Sequence, residues 1–182
     1  MSEILIDPFY LVAKQFAEER HSGQTRKDAR ATPYIEHPVA VASLLIQVGG
    51  VTDLDVVVAA LLHDVLEDTP TNAKELKVRF GERVTRIVRE VSDDKRLPKV
   101  ARKYLQVKGA PFISPEAKLV KLADKICNVR DILESPPMGW RYERKMEYFL
   151  WSKSVVDGLR GVNHPLESAF DRVFQRQHEL TN

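Results

Sequence analysis

His63 and Asp64 adjoin in the segment ALLHDVLEDT, and Glu67 and Asp68 follow four residues after each. Side chains four apart on a helix share a face. A helix through this segment therefore stacks His63 with Glu67 and Asp64 with Asp68. The residues before them, VVVAALL, are apolar, which puts four polar groups at the end of a buried helix. Buried polar groups without partners are strongly disfavoured, and a bound cation would satisfy all four. His37, in TPYIEHP, stands at the mouth of a helix. Asp124 stands in AKLVKLADKICNVRD, on a helix whose other positions include Leu119, Val120, Leu122, Ala123, Ile126 and Val129. His37, His63, Asp64 and Asp124 together offer two imidazoles and two carboxylates. Such a set suits Mn²⁺ or Fe²⁺, or Zn²⁺ at higher affinity. Mn²⁺ is the expectation, because hard phosphate oxygens suit it.

A lone His-Asp pair is most often structural, and a helical aspartate is often an ion-pair partner, here of Lys125 or Arg130. The ordered series of a histidine, a His-Asp pair, a Glu-Asp pair and a distant aspartate is harder to assemble by chance. It points to a metal site, and a metal site of this kind could support hydrolysis. That chemistry needs an attacking water, a base and neutralisation of negative charge. Helix spacing places Glu67 and Asp68 where they can orient or deprotonate the water. Carboxylates at the C-terminal end of a helix oppose its dipole unless a positive charge compensates, so a merely solvated helix end explains them less well.

The elements that must hold these residues are helices. Asp7-Pro8 reads as an N-cap with proline in the first turn, before Phe9, Val12, Ala13, Phe16 and Ala17 at helical spacing. Residues 22–36 are polar and read as a loop or short hairpin. Helices are then expected from Pro38 to Val48, and from an Asp53 cap through Val57, Ala60, Leu61 and Asp64 toward Asp68. Leu76–Phe80 and Val84–Val91 read as two short helices parted near Gly81. Pro98 opens another, Ser114-Pro115-Glu116 starts a long one to about Leu133, and Met146–Val156 gives one more. A last helix, about 162–180, carries Leu166, Phe170, Val173 and Phe174. No repeat or regular strand alternation is present. The expectation is an all-α fold of about eight to nine helices, forming a single domain over 1–182 with its core at about 8–160.

Composition agrees. The 182 residues are 43% hydrophobic and 30% charged, with a formal net charge of +2. That balance suits a globular domain and gives no reason to expect nucleic acid or a membrane surface as partner. The basic residues form no long stripe with interleaved aromatics. Cys127 is the single cysteine, which excludes an intrachain disulfide and an all-cysteine metal site. The N-terminal residues lack the features of a signal peptide, and no apolar run approaches a bilayer span. A cytoplasmic location is expected; oligomeric state is not legible.

The stretches TPYIEHP, AALLHDVLEDT, FGERV, SDDKRLPK, SPEAKLVKLADKICNVRD and GW followed by YFLW carry a resemblance. The chain resembles the hydrolase domain of the RelA/SpoT-homologue family, within the HD superfamily. It is especially similar to the small stand-alone alarmone hydrolases of metazoan type. The resemblance runs from about residue 8 to 160 and shows no departure at the metal-ligand or acidic positions. It implies a helical HD-domain fold. It also implies removal of the 3′-diphosphate of guanosine tetra- or pentaphosphate as pyrophosphate, leaving GDP or GTP. This is the alarmone of the stringent response. By the resemblance, Glu67 and Asp68 are catalytic rather than metal ligands, and Arg26-Lys27 lies at the nucleotide. Lys99 and Arg144 match phosphate-contacting positions. Asn128, one turn after Asp124, and Tyr148, one turn after Arg144, are further substrate candidates. Surface solvation, or a core role for Tyr148, is the plain alternative for these six. Two other functions stay open: removal of the NADPH 2′-phosphate at the same site, and a non-catalytic alarmone-binding module. His21, His164 and His178 show no partner pattern.

Overall fold

The computed structural model describes residues 3–181. Its α-helices are α1 (Pro8–Arg20), α2 (Glu36–Gln47), α3 (Leu54–Leu62), α4 (Val65–Asp68), α5 (Ala73–Val91), α6 (Lys99–Gly109), α7 (Pro115–Glu134), α8 (Tyr142–Asp157) and α9 (His164–Gln175). Short 3-10 turns cover Glu3–Ile6, Ala110–Phe112 and Arg176–Glu179. The starts follow the expected caps. Asp7 accepts from the Phe9 N–H, Asp53 from Asp55 and Ser114 from Ala117. Each cap satisfies a backbone donor that the first turn would leave open.

A helix that is apolar all round has to be buried. In α3, Val56 to Leu62 are all buried, and the helix packs against α1, α2, α5 and α7. The long α7 runs beside it and also meets α2, α5, α8 and α9. The pair α3–α7 is therefore the axis of the molecule, with Phe149 of α8 and Phe170 of α9 closing the core at one end. By contrast α6 buries no residue and packs chiefly on α8. No helix among the described residues is long and apolar enough to cross a membrane.

Two expectations are adjusted. Residues 22–36 form an irregular loop pinned by one antiparallel bridge between Thr25 and Pro33, not a hairpin with strands. The helix expected to run unbroken from the Asp53 cap toward Asp68 is interrupted. α3 ends at Leu62, His63 and Asp64 form a turn, and α4 restarts at Val65. Asp64 has φ −98° and ψ −6°, so the residues after it are rotated out of the register of α3. The break near Gly81 is as expected: α5 bends there at φ 83°, ψ 172°, a conformation that side chains with a Cβ rarely adopt.

Candidate active site

The turn between α3 and α4 points His63 and Asp64 at the start of α2 and the middle of α7. His37 Nε2 lies 3.1 Å from Asp124 Oδ1, and His63 Nε2 lies 3.7 Å from the same oxygen. One ligand atom each from His37, His63 and Asp124 falls within 4.8 Å of the others. Asp64 Oδ2 adds a fourth group, 3.1 Å from His63 Nε2 and 4.0 Å from His37 Nε2. All four residues expected to bind metal are thus brought together from three separate stretches of chain.

Their chemistry fits a divalent cation. His63 Nδ1 donates to the Ala60 carbonyl at 2.7 Å, which leaves Nε2 with its lone pair toward the cluster when the ring is neutral. That Nε2 is buried and has no hydrogen-bond partner among the described residues. Asp124 is held from two sides: Oδ1 accepts from Asn128 Nδ2 at 2.5 Å and Oδ2 from Lys125 Nζ at 3.1 Å. Tyr34 donates its hydroxyl to Asp64 Oδ2 at 2.6 Å. Fixing metal-binding carboxylates by outer hydrogen bonds is the usual support for such a site.

The electrostatics follow from burial. Burial disfavours charge on every member of the cluster. For Asp124 the cation of Lys125 and the two imidazoles outweigh it, holding the carboxyl well below its usual range. Asp64 is likewise lowered despite burial, chiefly by His63. Burial prevails at His37, which is pushed down, whereas at His63 the carboxylates of Asp64 and Asp124 overcome burial and raise it. Two ionised carboxylates beside imidazole nitrogens could hold a cation.

Three cavities meet around the cluster. A chamber of about 180 Å³ contains His37, His63, Asp64 and Asp124 in its wall, together with Glu67. It adjoins a wide cleft of about 790 Å³ bounded by the 24–32 loop, Asp68, Asp131 and Trp140. A side cavity of about 330 Å³ is lined by Lys27, Lys99, Lys103, Arg144 and Trp151. Tyr148 borders all three, and Arg26 and Asn128 border both the chamber and the cleft.

The broken helix separates Glu67 from Asp68. Glu67 stays in the chamber wall, where its Oε1 accepts from the Asp93 N–H at 2.7 Å. Burial raises its pKa, opposed by that hydrogen bond. Asp68 lies at the lip of the cleft, paired with Lys95 Nζ at 2.7 Å. Lys95 also approaches Glu67 Oε2 at 3.4 Å and supplies the positive charge that offsets the pair.

The substrate candidates divide the same way. Arg26 lies at the chamber mouth, donating to Asp131 at 2.7 Å and to Asn128 at 3.3 Å. Lys27 is exposed between the cleft and the side cavity, and Lys99 and Arg144 open onto the side cavity, away from the cluster. The Arg144 guanidinium sits 4.2 Å from the centroid of the Trp140 ring. Sequence reasoning missed Tyr34, although TPYIEHP contains it. It also set His21 aside; that ring is buried, stacks 4.8 Å from Tyr34 and pairs with Gln24 Oε1 at 2.9 Å. Lys95, Lys103 and Lys121 were missed as well. His164 begins α9 and His178 accompanies the final turn, and neither borders a cavity described here.

Comparison with known proteins adds the following. The sequence pattern of the HD domain family matches residues 13–147. The guanosine-3′,5′-bis(diphosphate) 3′-pyrophosphohydrolase MESH1 of Xenopus tropicalis is 52% identical over 167 residues, covering 92% of this chain and 93% of that protein. Its Drosophila melanogaster counterpart is 45% identical over 168 residues, covering 92% and 94%. A solved structure, described as a metazoan ortholog of SpoT that hydrolyzes ppGpp and plays a role in starvation responses, matches with a TM-score of 0.92. It is 44% identical and covers 96% of this chain and 98% of that one.

Proposed function

The chain belongs to the HD domain family, and from that premise we propose that it is a metal-dependent 3′-pyrophosphohydrolase of guanosine tetra- and pentaphosphate. The products are pyrophosphate and GDP or GTP. The observation that carries the reading is the convergence of two imidazole nitrogens and two carboxylates in the wall of a chamber beside a nucleotide-sized cleft. Relatives at 45–52% identity over nearly the whole chain bear the name of this activity.

In this reading His37, His63, Asp64 and Asp124 hold a divalent ion, with Mn²⁺ the expected occupant. Such an ion supplies Lewis-acid polarisation of a phosphate oxygen and lowers the pKa of water. Glu67 takes the proton of the attacking water. Its raised pKa brings it nearer neutrality, where a carboxylate is a better base. The Asp93 N–H fixes one carboxylate oxygen, and the other, 3.4 Å from Lys95 Nζ, takes the proton. Asp68 and Lys95 form the lip that orients the water and confines the diphosphate. Arg26, Asn128 and Tyr148 guide the ribose and 3′-diphosphate from the cleft into the chamber. Lys27, Lys99 and Arg144 neutralise the remaining phosphates, for which arginine offers bidentate pairing.

Product analysis tests the reading. Metal-stripped protein is incubated with guanosine tetraphosphate or NADPH, with and without Mn²⁺, beside the variants Asp64→Ala and Glu67→Ala. The expected result is Mn²⁺-dependent GDP and pyrophosphate, abolished in both variants. Orthophosphate and NADH from NADPH alone would keep the site and replace the substrate. Absence of turnover with any divalent metal would favour a binding module.

A further inference from the structure

Lys121 has no part in the roles assigned above, and Lys125 is so far only the partner of Asp124. They lie one helical turn apart on α7, so they share a face, and both line the 180 Å³ chamber. They are only 8% and 3% exposed. An ammonium has three N–H donors. Lys121 uses one on the Val91 carbonyl at 2.6 Å, and Lys125 uses one on Asp124 Oδ2 at 3.1 Å. No other hydrogen bond is found for either among the described residues.

A buried cation with open donors is costly unless an anion completes it. Capping the end of α5 accounts for one Lys121 donor, and balancing Asp124 accounts for one on Lys125. Lys125 also lies 4.7 Å from the centroid of the Trp151 ring, yet none of these contacts gives an anion to the open N–H groups of two like charges set four residues apart inside one small cavity, an arrangement that is otherwise repulsive. Burial, aided by Lys125, pushes the Lys121 ammonium below its usual range, as expected for a charge short of partners. The chamber volume of 180 Å³ is below the roughly 300 Å³ at which pockets for whole drug-sized ligands begin. It has room for a small anion such as a diphosphate, whereas the adjoining cleft of about 790 Å³ has room for a nucleoside.

We propose that Lys121 and Lys125 form a diphosphate seat: their open N–H groups take the oxygens of the substrate's 3′-diphosphate and keep hold of the pyrophosphate released. This rests on the reading of the chain as a 3′-pyrophosphohydrolase and assigns two residues to the product side of that reaction.

Calorimetric titration tests the seat on Mn²⁺-loaded protein, with inorganic pyrophosphate and GDP as separate probes. Lys121→Met keeps most of the buried stem and removes the charge without touching a metal-binding residue. Pyrophosphate should bind it at least tenfold more weakly than wild type, while GDP and Mn²⁺ affinities stay within twofold. Lys125→Met should show the same loss of pyrophosphate affinity. Pyrophosphate binding within twofold of wild type in both variants would overturn the proposal. So would equal weakening of GDP and pyrophosphate, which would mean a general disturbance of the site. If the variants do not fold, wild-type protein loaded with diamagnetic Zn²⁺ and labelled at lysine ¹³Cε decides. Pyrophosphate should shift the resonances of two slowly exchanging lysines, and no such shift would refute the seat. Guanosine tetraphosphate turnover by wild type, measured first, reports on the parent reading separately.

Discussion

Tyr34→Phe removes one oxygen atom and isolates the support of Asp64. The Tyr34 hydroxyl donates at 2.6 Å to Asp64 Oδ2, the oxygen that also faces both imidazoles. A carboxylate oxygen has more than one lone pair, so Oδ2 can accept from Tyr34 while binding a cation. Asp64 stands in the turn between α3 and α4, outside either helix, and its N-terminal position on α4 supplies no side-chain cap bond. The tyrosine is therefore the group that fixes this carboxylate. Burial and the adjacent Asp64 push the phenol far above its usual range, so it remains a donor wherever the protein is folded. A hydrogen bond to a charged acceptor contributes about 1.5–3 kcal/mol. Loss of an outer-sphere partner typically weakens a metal site about 10–100-fold, which is about 1.4–2.7 kcal/mol.

The expected outcome is a Mn²⁺ dissociation constant raised about 10–100-fold, measured by competition with a chelator, and unchanged in sign between about pH 6 and 9. The phenylalanine ring keeps its stacking on His21 and its edge contact with His37, whose centroids lie 4.8 and 6.0 Å away. Melting of the metal-free variant should therefore fall by about 3–10 °C, the shift for the roughly 1.5–3 kcal/mol of the lost hydrogen bond in a chain of this size. A dissociation constant within twofold of wild type would refute the reasoning. A drop in metal-free melting above about 10 °C would also refute it, because metal affinity would then follow a damaged fold.

Glu67→Gln retains an oxygen for the Asp93 N–H but cannot take a proton. Its kcat should fall about 10²–10⁴-fold with Mn²⁺ affinity near that of wild type; a loss of metal binding would make Glu67 a ligand instead. Because burial raises the Glu67 pKa, wild-type kcat should decline as pH falls through a value above the ordinary carboxylate range. A pH–rate profile of Glu67→Gln lacking that acid limb would agree, and an identical limb would count against Glu67 as base. Asp124→Asn should abolish metal binding and leave the Lys125 ammonium buried without its counter-charge. Breaking a buried pair costs about 3–5 kcal/mol, so the metal-free protein should melt at least about 6 °C lower; a change below about 2 °C would show that Lys125 finds another partner.

The candidate metal cluster was readable in the sequence because histidines and aspartates are conspicuous on apolar helices, and because caps at Asp53 and Ser114 mark where α3 and α7 begin. The break at His63-Asp64 was not readable. Neither residue is a glycine or proline, and the segment on both sides is a sound helix by periodicity. The interruption is set by packing, since α3 is enclosed by α1, α2, α5 and α7 while its last residues must face the cluster. This changes the chemistry: an unbroken helix would give Glu67 and Asp68 equivalent places, whereas the turn leaves Glu67 in the chamber and Asp68 at its lip. Lys121 was hidden for a related reason. Lysine is rarely buried, so periodicity assigns Lys121 to solvent. Its position beneath the end of α5, with Nζ on the Val91 carbonyl, arises only when α5 and α7 pack together. The proposed ligands of a cation can thus be recognised by residue type, while the groups proposed to receive the anion depend on which ordinary surface residues the fold encloses.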